Sequence, residues 1–504
     1  MPSSNDEQLQ ATEYRLHKTS PLFILFDNIK KLIFPAFLAL VSSRGSYWEY
    51  IALAIAAFVS IGSIIQYYFY RYWLEEKQIR VKEGILFRNV RQVPYNKIQN
   101  LNLIQNPLHR IFGVVKVQLE SASGGKPEAV INVIDMQAVK LLRQRLNDEH
   151  EELEANEASV ENKKTAILTL PFAEIARYGI ISNRGLVVVA VFFGFLSQFL
   201  DGPNESLIKS SIKSAVNTVE GAVDSVVASS GVASAIAYSI AFLFVALICL
   251  WLLSIGLALF KFHDFELLEK KQKLSATMGL LTRLQATIPM SRIQSLTVHN
   301  SLLHRWFKRI GVTIETAGGV NTEQQGVTMK HIAPVLPKQL RISYLQQVQK
   351  DVDWTAVNWT LVEPRAWKRV FKVSWVLWTL GLLITNAYSP YLFATLWLLA
   401  GAWSAIYGKL YVKNTGYYLA NDVIAYKSGV IFKKETYVRL PKIQTVEIKE
   451  NPFDRRHQMA TLQVDTAGAA LGAHHIEIPY LNLKNAQAMQ AILIQKVKNI
   501  DFQW

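Results

Sequence analysis

The sequence predicts an α+β membrane protein: about six transmembrane helices in three pairs, each pair followed by a small β-rich sandwich or barrel closed by a C-terminal helix. Three observations predict it. Half of the 504 residues are hydrophobic and only 18% are charged. Apolar runs approaching or exceeding the roughly 20 residues that cross a bilayer occur in pairs. The stretch after each pair repeats one residue pattern at one internal spacing.

Along the chain, residues 1–28 form a polar N-terminus without the charged start, short apolar run and cleavage site of a secretory signal, so they are expected to stay on the chain. Residues 29–70 hold the first pair: Leu32 to Ser43, weakened by Lys30 and Lys31, and Tyr47 to Tyr70. A first module covers 71–160. The second pair, within 161–260, comprises Leu186 to Leu200 and Ala233 to Phe260. Between them, 201–232 reads as an external amphipathic helix, because Ile208, Ile212, Val216, Val219, Val223 and Val226 recur at helical spacing. A second module covers 261–360, the third pair (Val370 to Thr385, Tyr391 to Tyr407) lies in 361–409, and a third module covers 410–504.

Orientation follows from positive charge. The connections within the pairs hold Arg44, then Lys209 and Lys213, then none, against 54 Lys and Arg in all. Those connections are expected outside, with both termini and all three modules in the cytoplasm. A net charge of +15 and a pI near 9.5 fit that Lys/Arg excess, or anionic lipid, better than nucleic acid in so apolar a chain. Cys249 is the sole cysteine, which excludes an intramolecular disulfide and a multi-cysteine metal site.

The repeat is anchored on an Ile-Gln pair at Ile98, Ile293 and Ile443. Fourteen residues before it stands a glycine (Gly84, Gly279, Gly429), twelve after it an arginine (Arg110, Arg305, Arg455), and twenty-two after it an acid (Glu120, Glu315, Asp465) that opens a turn of small residues. Copies one and three share Asn106-Pro107 and Asn451-Pro452, where copy two has Ser301-Leu302. Alternating residues on both sides of the glycine predict a β-hairpin with positive φ at its turn. Further strands follow, and Val139, Leu142 and Leu146 in copy one, or Ala486, Met489, Ile492, Leu493 and Val497 in copy three, mark the apolar face of a closing helix. The retained arginine and acid are expected to pair within each copy.

This arrangement resembles the bacterial pleckstrin-homology-like, membrane-flanked domain family, in a version with three copies. The resemblance implies a PH-like sandwich for each module and a bacterial plasma membrane location; it carries no activity, because the family is defined by fold, and no cofactor is expected. In lipid-binding PH domains the first hairpin contacts phosphate. The basic residues near that hairpin here are Lys77, Arg80, Lys82, Arg88 and Arg91 in copy one, Lys270, Lys271, Lys273 and Arg283 in copy two, and Lys427, Lys433 and Lys434 in copy three. They are candidates for anionic lipid or a protein partner.

No catalytic motif is present, and His457 and the pair His474-His475 lack the companions of a metal site, so catalytic and metal residues are expected to be none. The function expected is a non-enzymatic membrane scaffold presenting three modules to lipid or to a protein, such as a smaller membrane protein with the same domain. The alternative is export of, or resistance to, amphipathic or toxic compounds such as antimicrobial peptides.

Overall fold

The computed structural model describes residues 13–23, 67–84, 88–121, 128–154, 165–182, 184–191, 232–270, 272–316, 330–354, 357–420, 422–466 and 476–498, with isolated positions between 54 and 66 and at 217 and 221.

Copy one comprises β1 (Glu13–Arg15), β2 (Arg71–Leu74), β3 (Gln78–Glu83) and β4 (Asn89–Pro94). After these come β5 (Ile98–Gln105), the short helix α1 (Pro107–Ile111), β6 (Val114–Ser121), β7 (Ala129–Asp135) and the closing helix α2 (Met136–Glu154). Copy two repeats this order with β8 (Thr165–Thr169), α3 (Phe172–Ser182), α4 (Val232–Phe262), β9 (Glu266–Lys270), β10 (Lys273–Met278) and β11 (Arg283–Pro289). It continues with β12 (Ile293–Ser301), α5 (Leu302–Trp306), β13 (Arg309–Thr316), β14 (His331–Pro337) and α6 (Arg341–Val348). Copy three has β15 (Thr360–Leu361), α7 (Trp367–Tyr388), α8 (Pro390–Asn414), β16 (Gly416–Leu419), β17 (Val423–Ser428) and β18 (Phe432–Arg439). Then follow β19 (Ile443–Lys449), α9 (Pro452–Arg456), β20 (Met459–Thr466), β21 (Ile476–Asn482) and α10 (Leu483–Lys498).

Local chemistry explains the elements. In β10, Leu274, Ala276 and Met278 point inward while Lys273, Ser275 and Thr277 do not, the period of a half-buried strand. Gly279 ends it at φ +112°, and a Cβ there would stand 2.0 Å from the Thr282 carbonyl oxygen, so only glycine closes this hairpin. Gly84 and Gly429 share the conformation, at φ 101° and 99°. The differing residues before the short helix do one job in two copies: Ser301 and Asn451 each cap it through a side-chain acceptor. The apolar face of α2 settles as expected, with Leu142 fully buried, and in α10 Ala486, Met489 and Leu493 are buried while Ile492, expected on the same face, is exposed.

The expected set of six transmembrane helices in three pairs is overturned. Among the described residues two helices are long and apolar enough to cross a membrane, Ile240–Phe262 and Pro390–Asn414, and most of the remaining elements are the strands of four sheets. The expected span Val370 to Thr385 carries charge where it begins. In α7 the first turns carry Lys368, Arg369 and Lys372. Of the expected span Leu186 to Leu200, residues 186–191 lie among the described residues and are helical. The runs 32–43, 192–200 and most of 47–70, with the amphipathic segment 201–231, lie outside the described residues.

The sheets are not confined to single copies. Within each copy four strands form one half and three the other, but the three-stranded half of one copy joins the four-stranded half of the next. One sheet runs β7-β6-β5-β11-β10-β9-β8 and another β14-β13-β12-β18-β17-β16-β15. Only the first four strands and the last three remain as separate sheets, β1-β2-β3-β4 and β19-β20-β21. The cores follow: one buried cluster spans copy two and includes Val423, Ala425 and Tyr437 of copy three.

The apolar helices interrupt the sheets in a regular way. Strand β8 precedes α3 and α4 yet pairs with β9 after them, and β15 precedes α7 and α8 yet pairs with β16. A helical insertion that leaves and returns through neighbouring strands brings both its ends to one face of its module. The two helices of the third insertion are held by Trp397 Nε1 donating to Thr379 Oγ1 at 2.9 Å and by the Ser374–Ser404 hydroxyl pair at 3.1 Å.

Candidate functional site at the joints between repeats

Two joints connect the copies, and they use one register. At the first, Gln105 of β5 stands opposite Arg283 of β11, followed by Ile104 with Leu284 and Leu103 with Gln285. At the second, Asn300 of β12 stands opposite Lys433 of β18, followed by His299 with Lys434 and Val298 with Glu435. Counted from each copy's Ile-Gln, both joints set position +7 of one copy against −10 of the next. Such edge-to-edge addition supplies main-chain hydrogen bonds for affinity, while side chains at alternate positions set register.

Side chains reinforce the joints at corresponding places. Arg110 donates to the Gly279 carbonyl at 3.5 Å, and Arg305 donates to the Val430 and Ile431 carbonyls at 2.9 and 3.2 Å. The retained arginine thus reaches the hairpin of the following copy. For Arg305 this replaces the expected pairing with its own copy's acid, and Glu315 instead accepts a hydrogen bond from Ser295 at 3.2 Å. The closing helix also takes part. Arg143 of α2 donates to Gln285 at 2.9 Å, and Arg341 of α6 donates to Glu435 and, at 2.7 Å, to the Tyr437 hydroxyl. Burial opposes the charge on Arg341, but Glu435 and Tyr437 outweigh it and raise the guanidinium's pKa.

The candidate basic residues divide between this joint and the surface. Arg283, Lys433 and Lys434 lie on joint strands, and Arg88 and Arg91 flank or lie on the corresponding strand β4, which has no partner strand on its outer side among the described residues. Lys433 donates to Asn414 at 2.8 Å, and burial, with Arg305 nearby, lowers its pKa. Lys427 sits 4.7 Å above the Trp359 ring, and its pKa too is lowered by burial. Arg80 is paired with Glu75 at 2.8 Å, and Arg91 lies 3.8 Å from Glu83. Lys77 and Lys270 are exposed, Lys82 and Lys273 are half-buried, and Lys271 lies outside the described residues. The structure therefore does not gather these residues into one pocket.

The hairpins lie level with the feet of the apolar helices. The Gly279 and Leu280 amides donate to the carbonyls of His263 and Phe260 at the end of α4, and Lys433 reaches Asn414 at the end of α8. Leu281 is exposed on the first of these hairpins, and Leu302 and Trp306 are exposed on α5, whose Arg305 reaches the second, Trp306 with 76% of its surface accessible.

Sequence reasoning missed the joints. The signal is a basic residue at −10 in every copy, Arg88, Arg283 and Lys433, which the sequence offers as contacts for anionic lipid or a protein partner rather than for the next copy.

The bacterial PH domain family matches residues 29–150, 222–350 and 371–497, most of the chain and all three copies. The chain belongs to the bacterial PH domain family. A curated relative, the UPF0699 transmembrane protein YdbT of Bacillus subtilis (strain 168), is 22% identical over 467 residues, covering 90% of this chain and 93% of its own length. No solved structure matches the chain. Three tandem bacterial PH domains thus share their sheets, and the joints are where one domain recognises the next.

Proposed function

We propose that this chain is a non-enzymatic, membrane-associated scaffold in which α4 and α8 cross a bilayer and the bacterial PH domains sit together on its cytoplasmic side. The observation that carries the proposal is the pair of internal joints: in this chain a PH-type module already binds another module, edge to edge, twice. Both candidate spans end in a strand of a module, and their last turns carry Lys261 or Lys409 and Lys413, the bias of a cytoplasmic end. The apolar and basic hairpins beside those feet suit contact with an anionic headgroup layer, which would orient modules already anchored, at about 1 kcal/mol per basic residue near the surface.

The test is chemical cross-linking in native membranes followed by mass spectrometry of what travels with the protein, alongside carbonate extraction. Recovery of the chain in the carbonate-resistant fraction, with cross-links from module edges to protein, is expected. A chain released by carbonate, or edges that cross-link to nothing, would refute the scaffold reading.

A further inference from the structure

We propose that the open edge of β19 at one end of the array binds the open edge of β4 in a second copy of this chain, in the register of the two internal joints. The inference rests on the scaffold reading and names its partner. The four separate or shared sheets suggest it directly. Each internal seven-stranded sheet consists of the last three strands of one copy and the first four of the next, and the two sheets left over are a three-stranded and a four-stranded half. Joined through β19 and β4, they complete a third sheet of the same build.

The edge strands carry the exposure of an unfilled joint. At position +5, Leu103 and Val298 are buried within the internal joints, whereas Ile448 of β19 is half-buried. On the receiving side, Asn89, Val90 and Arg91 are exposed in β4, with Val90 at 51%, whereas at the corresponding positions of β11 Leu284 and Ala286 are buried and Gln285 is half-buried. Position −10 is basic in each copy, and the residue it would meet at +7 is Gln105, then Asn300, then Glu450.

The shared register therefore sets Glu450 opposite Arg88, Glu447 opposite Arg91, and Ile448 opposite Val90. Two acids on and beside β19 meet two arginines on and beside β4, with an apolar pair between them. Among the described residues the side chains of Arg88, Glu447 and Glu450 have no hydrogen-bonding or ion-pairing partner. Arg455, the counterpart of the arginines that grip the next hairpin, is exposed. One acceptor of the β19 edge is engaged, since Gln490 of α10 donates to the Val446 carbonyl at 3.0 Å, and this bond must yield when the second strand arrives.

Such contact is heterologous, each molecule offering β19 to one neighbour and β4 to another, so it generates a ring or an open chain. Because the helical insertions of every molecule must stay in one membrane, the repeating rotation is confined to an axis along the membrane normal.

The experiment uses the full chain in nanodiscs and native membranes, with Cys249→Ser as background. Two differently tagged chains, one carrying Ile448→Cys and the other Val90→Cys, are expected to form a mixed disulfide on oxidation. Chains pairing Val90→Cys with Thr461→Cys, on the inner strand β20, are not. Arg88→Glu with Arg91→Glu should lower the cross-link about tenfold or more by setting like charges together, and Glu447→Arg with Glu450→Arg on the other chain should restore it. Restoration excludes misfolding as the cause of the loss. No mixed disulfide, or no rescue, overturns the second copy as partner. If the cross-links instead reach a different protein, the scaffold reading stands without self-assembly, and if the edges capture nothing, both fail.

Discussion

The tie between the helix α3 and the sheet of copy two can be broken by one atom change. Glu174 accepts from Arg309 Nε at 2.9 Å and Nη2 at 2.8 Å, and Arg177 also donates to it. Both partners are largely out of water, at 13% and 19% exposure. Hydrogen bonds to charged groups contribute about 1.5–3 kcal/mol each, and breaking a fully buried pair costs about 3–5 kcal/mol. Arg309 keeps some solvent and lies near the Phe307 and Lys308 carbonyls, so the expected cost of Glu174→Gln is lower, about 2 kcal/mol, or some 30-fold in local opening. Hydrogen exchange across α3 and β13 in detergent would measure it, and a cycle with Arg309→Met isolates the pair. Acid adds a second check. The hydrogen bond from Arg309 holds the Glu174 carboxyl below its usual range, so its contribution is present above the unfolded value of about 4.3 and is lost as pH falls through the folded one. The gap between wild type and variant must therefore close on acidification. Equal exchange in both proteins at neutral pH would refute the reasoning.

Gly279→Val or Gly429→Val should cost about 2 kcal/mol or more, since each needs positive φ and meets a carbonyl oxygen near 2 Å, and a thermal melt unchanged by either would contradict the hairpin geometry. Asp454→Ala removes a capping box and the ion pair to Arg369 at the foot of α7, so about 3 kcal/mol should be lost, read as faster proteolysis around α9. Burial pushes His299 and His304 down to about 4 and His331 to about 3, with Lys434 and Lys330 facing His299, and Lys261 and Arg184 facing His331. Their folded values lie below the unfolded value of about 6.5, so copy two should hold full stability above that pH and loosen as pH falls toward 4, with His331→Gln flattening part of the profile.

The repeat was legible because it is written in residues that serve one module at a time: the glycine of a hairpin, the apolar Ile98, Ile293 and Ile443 of one strand, the cap of a short helix. The joints were not, because β-pairing is made by backbone and any register of two polar strands looks acceptable in isolation. Arg305 illustrates the difficulty. Its retained partner in the sequence was an acid in its own copy, whereas its partner in space is a carbonyl, which every residue carries. The count of spans failed for another reason. The expected span Val370 to Thr385 belongs to α7, whose first turns carry Lys368, Arg369 and Lys372, with Arg369 serving Asp454 of the module.

The interruption of each module by its own apolar insertion also orders biogenesis. Thr165 of β8 leaves the ribosome long before Glu269 of β9, with which it pairs, and the whole of α4 is made in between. Pairing across such a separation is slow even without a membrane, because the loop must close before the contact rewards it. If α4 crosses a bilayer as proposed, closure also waits until that helix has been delivered, so a complete sheet reports that insertion has succeeded. On that reading, a chain whose α4 fails to insert keeps β8 as an unpaired strand, and that exposed edge offers quality-control proteases a marker of failure on the module rather than inside the lipid.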